Sequence, residues 1–95
     1  MIGRFVLSLS GRDKGRIHVV VSADAEKDMI CICDGKTRRV EKPKPKKLKH
    51  VKFLSGRDAA LDRAMAEESL TNRIVKEAVA RQEMTESRRD CSAEG

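Results

Sequence analysis

The sequence contains no tryptophan and no tyrosine, and its whole aromatic complement is Phe5 and Phe53. Modules that read single-stranded nucleic acid stack bases on aromatic platforms, and modules that grip proline-rich peptides line their grooves with the same residues. Both phenylalanines fall on apolar strand faces, so neither device can be assembled, and the core must rest on Val, Ile, Leu and Met. Histidine is equally scarce, with His18 and His50 alone. Neither stands at an informative spacing from a nucleophile or a carboxylate, so no enzyme is expected. His18 reads as a strand-surface residue and His50 as a phosphate donor. Cys31, Cys33 and Cys91 are an odd number without framework spacing, which points to reduced thiols in a cytoplasmic chain. Zinc would need four convergent ligands, and neither a metal nor another cofactor is expected. Long apolar runs are missing as well. The stretch "FVLSLS" is too short for a secretory signal and far too short to span a bilayer.

What the sequence has in quantity is charge, 38% of its 95 residues against 39% hydrophobic, with a formal net charge of +6. The excess is local. Between Lys36 and Lys52 nine Lys or Arg face one acid, Glu41, a net of +8, so the rest of the chain carries 12 bases and 14 acids, a net of −2. Such a segregated excess suits a polyanionic partner, because a merely solvated edge would mix the two signs. An anionic lipid surface or an import receptor could also take a basic run. Lipid binding, however, adds bulky apolar residues, and only Leu48 interrupts this one.

Short strands occupy the first half. In "RFVLSL" Phe5, Leu7 and Leu9 alternate with Arg4, Val6 and Ser8, the period of a half-buried strand. Gly11 to Gly15 then closes a loop around Arg12-Asp13-Lys14. A second strand follows with Ile17, Val19 and Val21 on one face and His18 and Val20 on the other. "MICIC" is apolar on both faces and reads as central, with Cys31 and Cys33 as small core fillers. Asp34-Gly35 carries the hairpin signal, so "TRRVE" is expected to pair back on "MICIC". Pro43 and Pro45 remove ladder donors, which makes "KPKPKK" an extended basic arm. "HVKFL" closes the sheet, burying Val51 and Phe53 or leaning Leu54 inward. Beyond Gly56 the period is helical: the spacing predicts helices near 58–67 and 72–84, the second capped by Thr71 with a Leu70–Val75 staple, and a frayed end. The apolar stripe Ile74, Val75, Ala78 and Val79 must dock on the sheet or on a partner protein, the alternative being an interaction adaptor.

"GRDKGR", the β-branched run after it and "DGKTRRVEKPKPKKLKHV", in this order and spacing, resemble the KOW-type RNA-binding domain. The likeness is nearest to small single-KOW proteins related to large-subunit ribosomal proteins of archaea and eukaryotes. It covers residues 1 to 54 and implies a mainly β fold, a small SH3-like barrel of about five strands, with 55–95 as a helical extension. It further implies binding to ribosomal RNA, with ribosomal proteins as further partners. Carried over by position, Gly11 to Gly15 is the motif loop, Asp34-Gly35-Lys36 the hairpin and Lys44 to His50 the basic arm.

The chemistry of the loop points the same way without the resemblance. Glycine at either end lets the backbone approach another surface, and Arg12, Lys14 and Arg16 project donors towards phosphate oxygens, while Asp13 fixes the loop locally. A plain solvated turn is the alternative. The expected RNA-binding set is therefore Gly11, Arg12, Lys14, Gly15 and Arg16 together with Lys36, Arg38, Arg39, Lys42, Lys44, Lys46, Lys47, Lys49 and His50. Without aromatics, recognition would rest on phosphates and on the shape of folded RNA.

Overall fold

In the computed structural model of the protein, residues 2–12 and 14–94 are described, with side chains through Thr85. The chain runs β1 (Phe5–Ser8), β2 (Ile17–Asp24), β3 (Met29–Cys33), β4 (Lys44–Lys47), a single 3-10 turn (Leu48–His50), β5 (Val51–Phe53), α1 (Ala59–Ala66) and α2 (Asn72–Glu94). All strand pairs are antiparallel, in the order β4-β3-β2-β1-β5. The two edge strands, β4 and β5, are therefore consecutive in sequence and joined only by the 3-10 turn.

The alternation in β1 serves two cores rather than one. Phe5, Ile17, Val19 and Cys33 join Leu54, Leu61, Val75, Ala78 and Val79 in a cluster between sheet and helices. Val6, Val20, Ile30, Ile32 and Val51 form a second cluster, with Leu48 and Phe53 packed against it. β1 lies between β2 and β5 and is buried on both faces, which corrects its reading as half-buried. Leu9 falls beyond the strand and is exposed. A register shift between Val20 and Ser22 inserts an extra residue and bends β2 where it passes β3.

The fourth strand is displaced from its expected place. "TRRVE" forms bends and turns, and β4 is built from "KPKK", with Cys31 opposite Pro45 and Ile30 opposite Lys46. Proline is tolerated there because β4 has a neighbour on one side only and its outer edge needs no ladder donors. Asp34-Gly35 is not a two-residue hairpin. The Asp34 carboxylate Oδ1 accepts from Lys36 N and Arg38 N, both at 2.9 Å, and Asp34 N donates to Arg38 O at 2.8 Å. This side-chain turn takes the backbone groups that "TRRVE" would otherwise have offered to β3.

The helices follow their expected positions. Asp58 caps α1 by accepting from Leu61 N at 3.0 Å, and Thr71 caps α2 by accepting from Ile74 N at 3.2 Å, with Leu70 and Val75 in one cluster. α2 continues to Glu94, so the end expected to fray is helical. Val75, Ala78 and Val79 are buried on the sheet and Ile74 packs beside them, which makes the apolar stripe part of this chain's own core. Among the described residues no helix is long and apolar enough to cross a membrane.

One ion pair fastens the two helices. Arg81 donates to Asp58 from Nε at 2.7 Å and from a terminal nitrogen at 3.1 Å, and Asp58 is itself the cap of α1. The Arg81 hydrogen bond, helped by the cap bond from Leu61 N and opposed by burial, holds the Asp58 carboxyl below its usual pKa. A depressed folded pKa adds stability above the unfolded value, near 4, and that contribution fades as pH falls through the folded value. Asp58→Ala should cost about 1 to 2 kcal/mol at neutral pH, the scale of a lost cap. Asp58→Asn keeps a capping oxygen and should cost less. Urea titrations at stepped pH should show the wild type's advantage over Asp58→Asn shrinking below about pH 4.

Candidate nucleic-acid interface

The loop between β1 and β2 is a closed hairpin end. Ser8 N donates to Arg16 O at 3.1 Å, Gly15 N to Ser8 O at 2.8 Å, and Lys14 N to Gly11 O at 3.2 Å. Gly11 and Gly15 have φ of +76° and +82°, the left-handed region where a Cβ is costly, so these two glycines shape the turn. Nothing lies within 4 Å of the Cβ position at Gly15. Arg12, Lys14 and Arg16 are exposed around it. The role assigned to Asp13 lies outside the described residues.

The loop is tied to the basic segment. Leu9 N donates to His50 O at 2.8 Å, and the Lys46 ammonium donates to Ser10 O, also at 2.8 Å. β4 explains the second bond, because a strand alternates its side chains. Lys46 is buried and Lys44 half-buried, whereas Pro45 and Lys47 are exposed. Lys46, expected to contact phosphate, is instead an internal tether whose carbonyl partner replaces water. Lys47 and, on the 3-10 turn, Lys49 are exposed; His50 is half-buried.

The upstream bases stand elsewhere. Lys36, Arg39 and Lys42 are exposed and Arg38 is half-buried on the β3–β4 connection. That connection is pinned to the start of α2, where Val40 N donates to Asn72 Oδ1 at 2.8 Å and Asn72 Nδ2 to Glu41 at 2.7 Å. Arg38, Arg39, Lys42 and Lys44 line one groove with Thr37, Glu41, Pro43 and Pro45. The expected set thus divides: Arg12 and Lys14 stand on the loop, His50 is tied to it through Leu9, Lys47 and Lys49 are exposed at the end of β4 and on the 3-10 turn, and Arg38, Arg39, Lys42 and Lys44 form a groove group. Arg16 and Lys36 stand apart from all of these. They meet at a separate depression with Ile17, Asp34, Val79 and Glu83.

Sequence reasoning missed the buried polar pair beside that depression. His18 is fully buried, not a strand-surface residue; its Nδ1 donates to Arg16 O at 3.2 Å, and Nε2 lies 3.9 Å from the buried Asp34 carboxylate. Its position on the same strand face as Val20 was the available signal, since a histidine on an apolar face needs a buried partner. The half-buried Phe53 ring carries the Arg4 guanidinium over it, 5.4 Å from the centroid.

The cysteines divide by burial. Cys33 is fully buried and paired across the sheet with Val19, whereas Cys31 is half-buried. Burial, with the negative charges of Asp34 and Glu41 adding to it, pushes the Cys33 thiol from 9.0 up to about 12. A raised folded pKa means the stabilising protonation is complete below the unfolded value and is lost as pH rises above it. Stability should therefore fall between about pH 9 and pH 12, and Cys33→Ala, at a cost of about 1 kcal/mol at neutral pH, should flatten that fall. In a Cys91→Ser background, alkylation should reach Cys31 well before Cys33. Among the described residues no cluster of three or more His, Cys, Asp or Glu could hold a metal ion. Comparison with protein-family models and with the curated proteins finds no match for this chain.

Proposed function

We propose that the protein binds folded RNA, ribosomal RNA in the first instance, through phosphate contacts from the β1–β2 loop and the basic segment around β4. One observation carries this reading: the bonds from Lys46 Nζ to Ser10 O and from Leu9 N to His50 O tie the +8 stretch to the loop that carries the exposed Arg12 and Lys14. Arginine offers phosphate a planar fork and lysine a point charge, and neither requires the aromatic platform that the chain lacks. A preference for RNA over DNA rests on the resemblance of residues 1 to 54 to KOW domains. The strand order β4-β3-β2-β1-β5, with both edges joined by a 3-10 turn, suits an SH3-like closure of the kind that resemblance implies. An adaptor role through the α2 stripe has less support, since Val75, Ala78 and Val79 would have to leave the core first.

The test is co-sedimentation of the purified protein with isolated ribosomal subunits at graded salt, followed by crosslink mapping. Salt-sensitive association that maps to RNA is expected. Failure to associate with either subunit, or crosslinks to protein alone, would contradict the ribosomal reading.

A further inference from the structure

The depression shared by Arg16 and Lys36 has a composition that phosphate binding does not explain. Its volume is about 280 Å³, and it is lined by two bases, two acids (Asp34 and Glu83) and two aliphatic residues (Ile17 and Val79). Three separate elements build it: the start of β2, the turn after β3, and α2, which brings the buried Val79 and the exposed Glu83. A bare phosphate would meet two carboxylates here, and a lone cation two bases, so either ligand is half opposed. Among the described residues, moreover, no ion pair within 4.0 Å joins Arg16, Lys36 or Glu83 to an opposite charge. None of the four charges forms a close pair with another.

A nucleotide with its base turned out of the stack matches all three chemistries together. Its flat face suits an aliphatic floor, its donor edge suits carboxylate acceptors, and its phosphate suits rim bases. Guanine fits best, because its Watson–Crick edge presents two adjacent N–H donors, N1–H and the 2-amino group, whereas adenine and cytosine each present one amino group. The Asp34 carboxylate is already engaged, with Oδ1 accepting from Lys36 N and Arg38 N and Oδ2 facing His18, which leaves Glu83, exposed on α2, to meet the two adjacent donors with its two oxygens.

We infer that this depression is a pocket for a single unpaired guanine of the bound RNA, with the Glu83 carboxylate accepting from its edge and Arg16 and Lys36 holding its phosphate. The inference rests on the RNA-binding reading and adds base specificity to it.

Glu83→Gln tests it through the sign of its effect. If Glu83 were only a negative charge near RNA, its neutralisation would tighten binding to every RNA. If it accepts from guanine, neutralisation must weaken binding to an RNA that supplies the base. The probes are a fully paired RNA hairpin and the same hairpin carrying one unpaired G, inosine or U, titrated against the full chain at fixed salt. The wild type should bind the G-bulged hairpin about fivefold or more tighter than the U-bulged one, with inosine, which lacks the 2-amino group, in between. Glu83→Gln should lose that preference while binding the fully paired hairpin at least as well as the wild type. Equal wild-type affinity for the three bulges, or tighter binding of all four probes by Glu83→Gln, would overturn the pocket and leave phosphate binding intact. No binding of any probe, even at low salt, would overturn the pocket together with the reading beneath it.

Discussion

Gly35→Val should lower the stability of the protein by about 3 kcal/mol or more, a fall in melting temperature of about 15 °C or more for a domain of this size. Two costs coincide at this position. Its φ is +80°, which a β-branched residue strongly resists, and a Cβ there would collide with the backbone carbonyl of Asn72 and stand 3.0 Å from Lys76 N. These are backbone atoms of the first turn of α2, so no side-chain rotation relieves the overlap. The helix must lift, and Val75, Ala78 and Val79 lift with it. Against a total stability of about 5 to 10 kcal/mol, typical of a small domain, the loss approaches unfolding. Gly15→Ala is the control. Its φ of +82° is almost the same, but its Cβ position is open, so only the backbone cost of about 1 kcal/mol is expected. Thermal melts that give equal losses for Gly35→Ala and Gly15→Ala would mean that α2 does not seat on the turn after β3.

Gly35 also marks where the sequence could and could not be read. Its neighbour Asp34 gave a strong hairpin signal, and the turn is real. Its direction is set by a carboxylate that captures Lys36 N and Arg38 N and by a helix nearly forty residues downstream, neither of which local pattern reveals. The helices were legible because the helical period beyond Gly56, the Thr71 cap and the Ile74-to-Val79 stripe are local signals. The loop from Gly11 to Gly15 was legible for the same reason, since positive φ at both glycines is a local demand. β4 was hidden because two prolines argue against a strand unless its outer edge is unpaired, which is a property of the sheet. Within the candidate interface the positions of the charges were legible but their exposure was not. Lys46 and Lys47 are adjacent and identical, yet one is sealed against Ser10 and the other faces solvent. Only the register of β4 on β3 decides between them.

That distinction governs the second large effect. Lys47→Glu with Lys49→Glu should weaken binding to folded RNA by about 3 kcal/mol or more, roughly a hundredfold or beyond, the sum of two charge-assisted hydrogen bonds to phosphate. Reversal also places carboxylates where phosphates would sit. Both side chains are exposed, so the melting temperature should stay within a few degrees of the wild type. Lys46→Glu should behave differently, because its buried ammonium is bonded to Ser10 O and a carboxylate there would meet a carbonyl oxygen. It should lose stability, and any loss of binding would follow from the displaced loop. Arg12→Ala with Lys14→Ala should cost binding by about 1 to 3 kcal/mol without a change in melting temperature. Unaltered binding in that variant would return the loop to the role of a plain turn.

The most direct measurement of the central claim is the salt dependence of RNA affinity for the wild type and for the Lys47→Glu/Lys49→Glu variant. If phosphate contacts supply most of the affinity, log K should fall linearly with log salt, with a slope near −3 to −4 for about four or five neutralised phosphates. The double variant should show a slope shallower by about 1.4 to 1.8, since each phosphate left unneutralised takes away roughly 0.7 to 0.9. A wild-type slope close to zero, or equal slopes for the two proteins, would contradict the account.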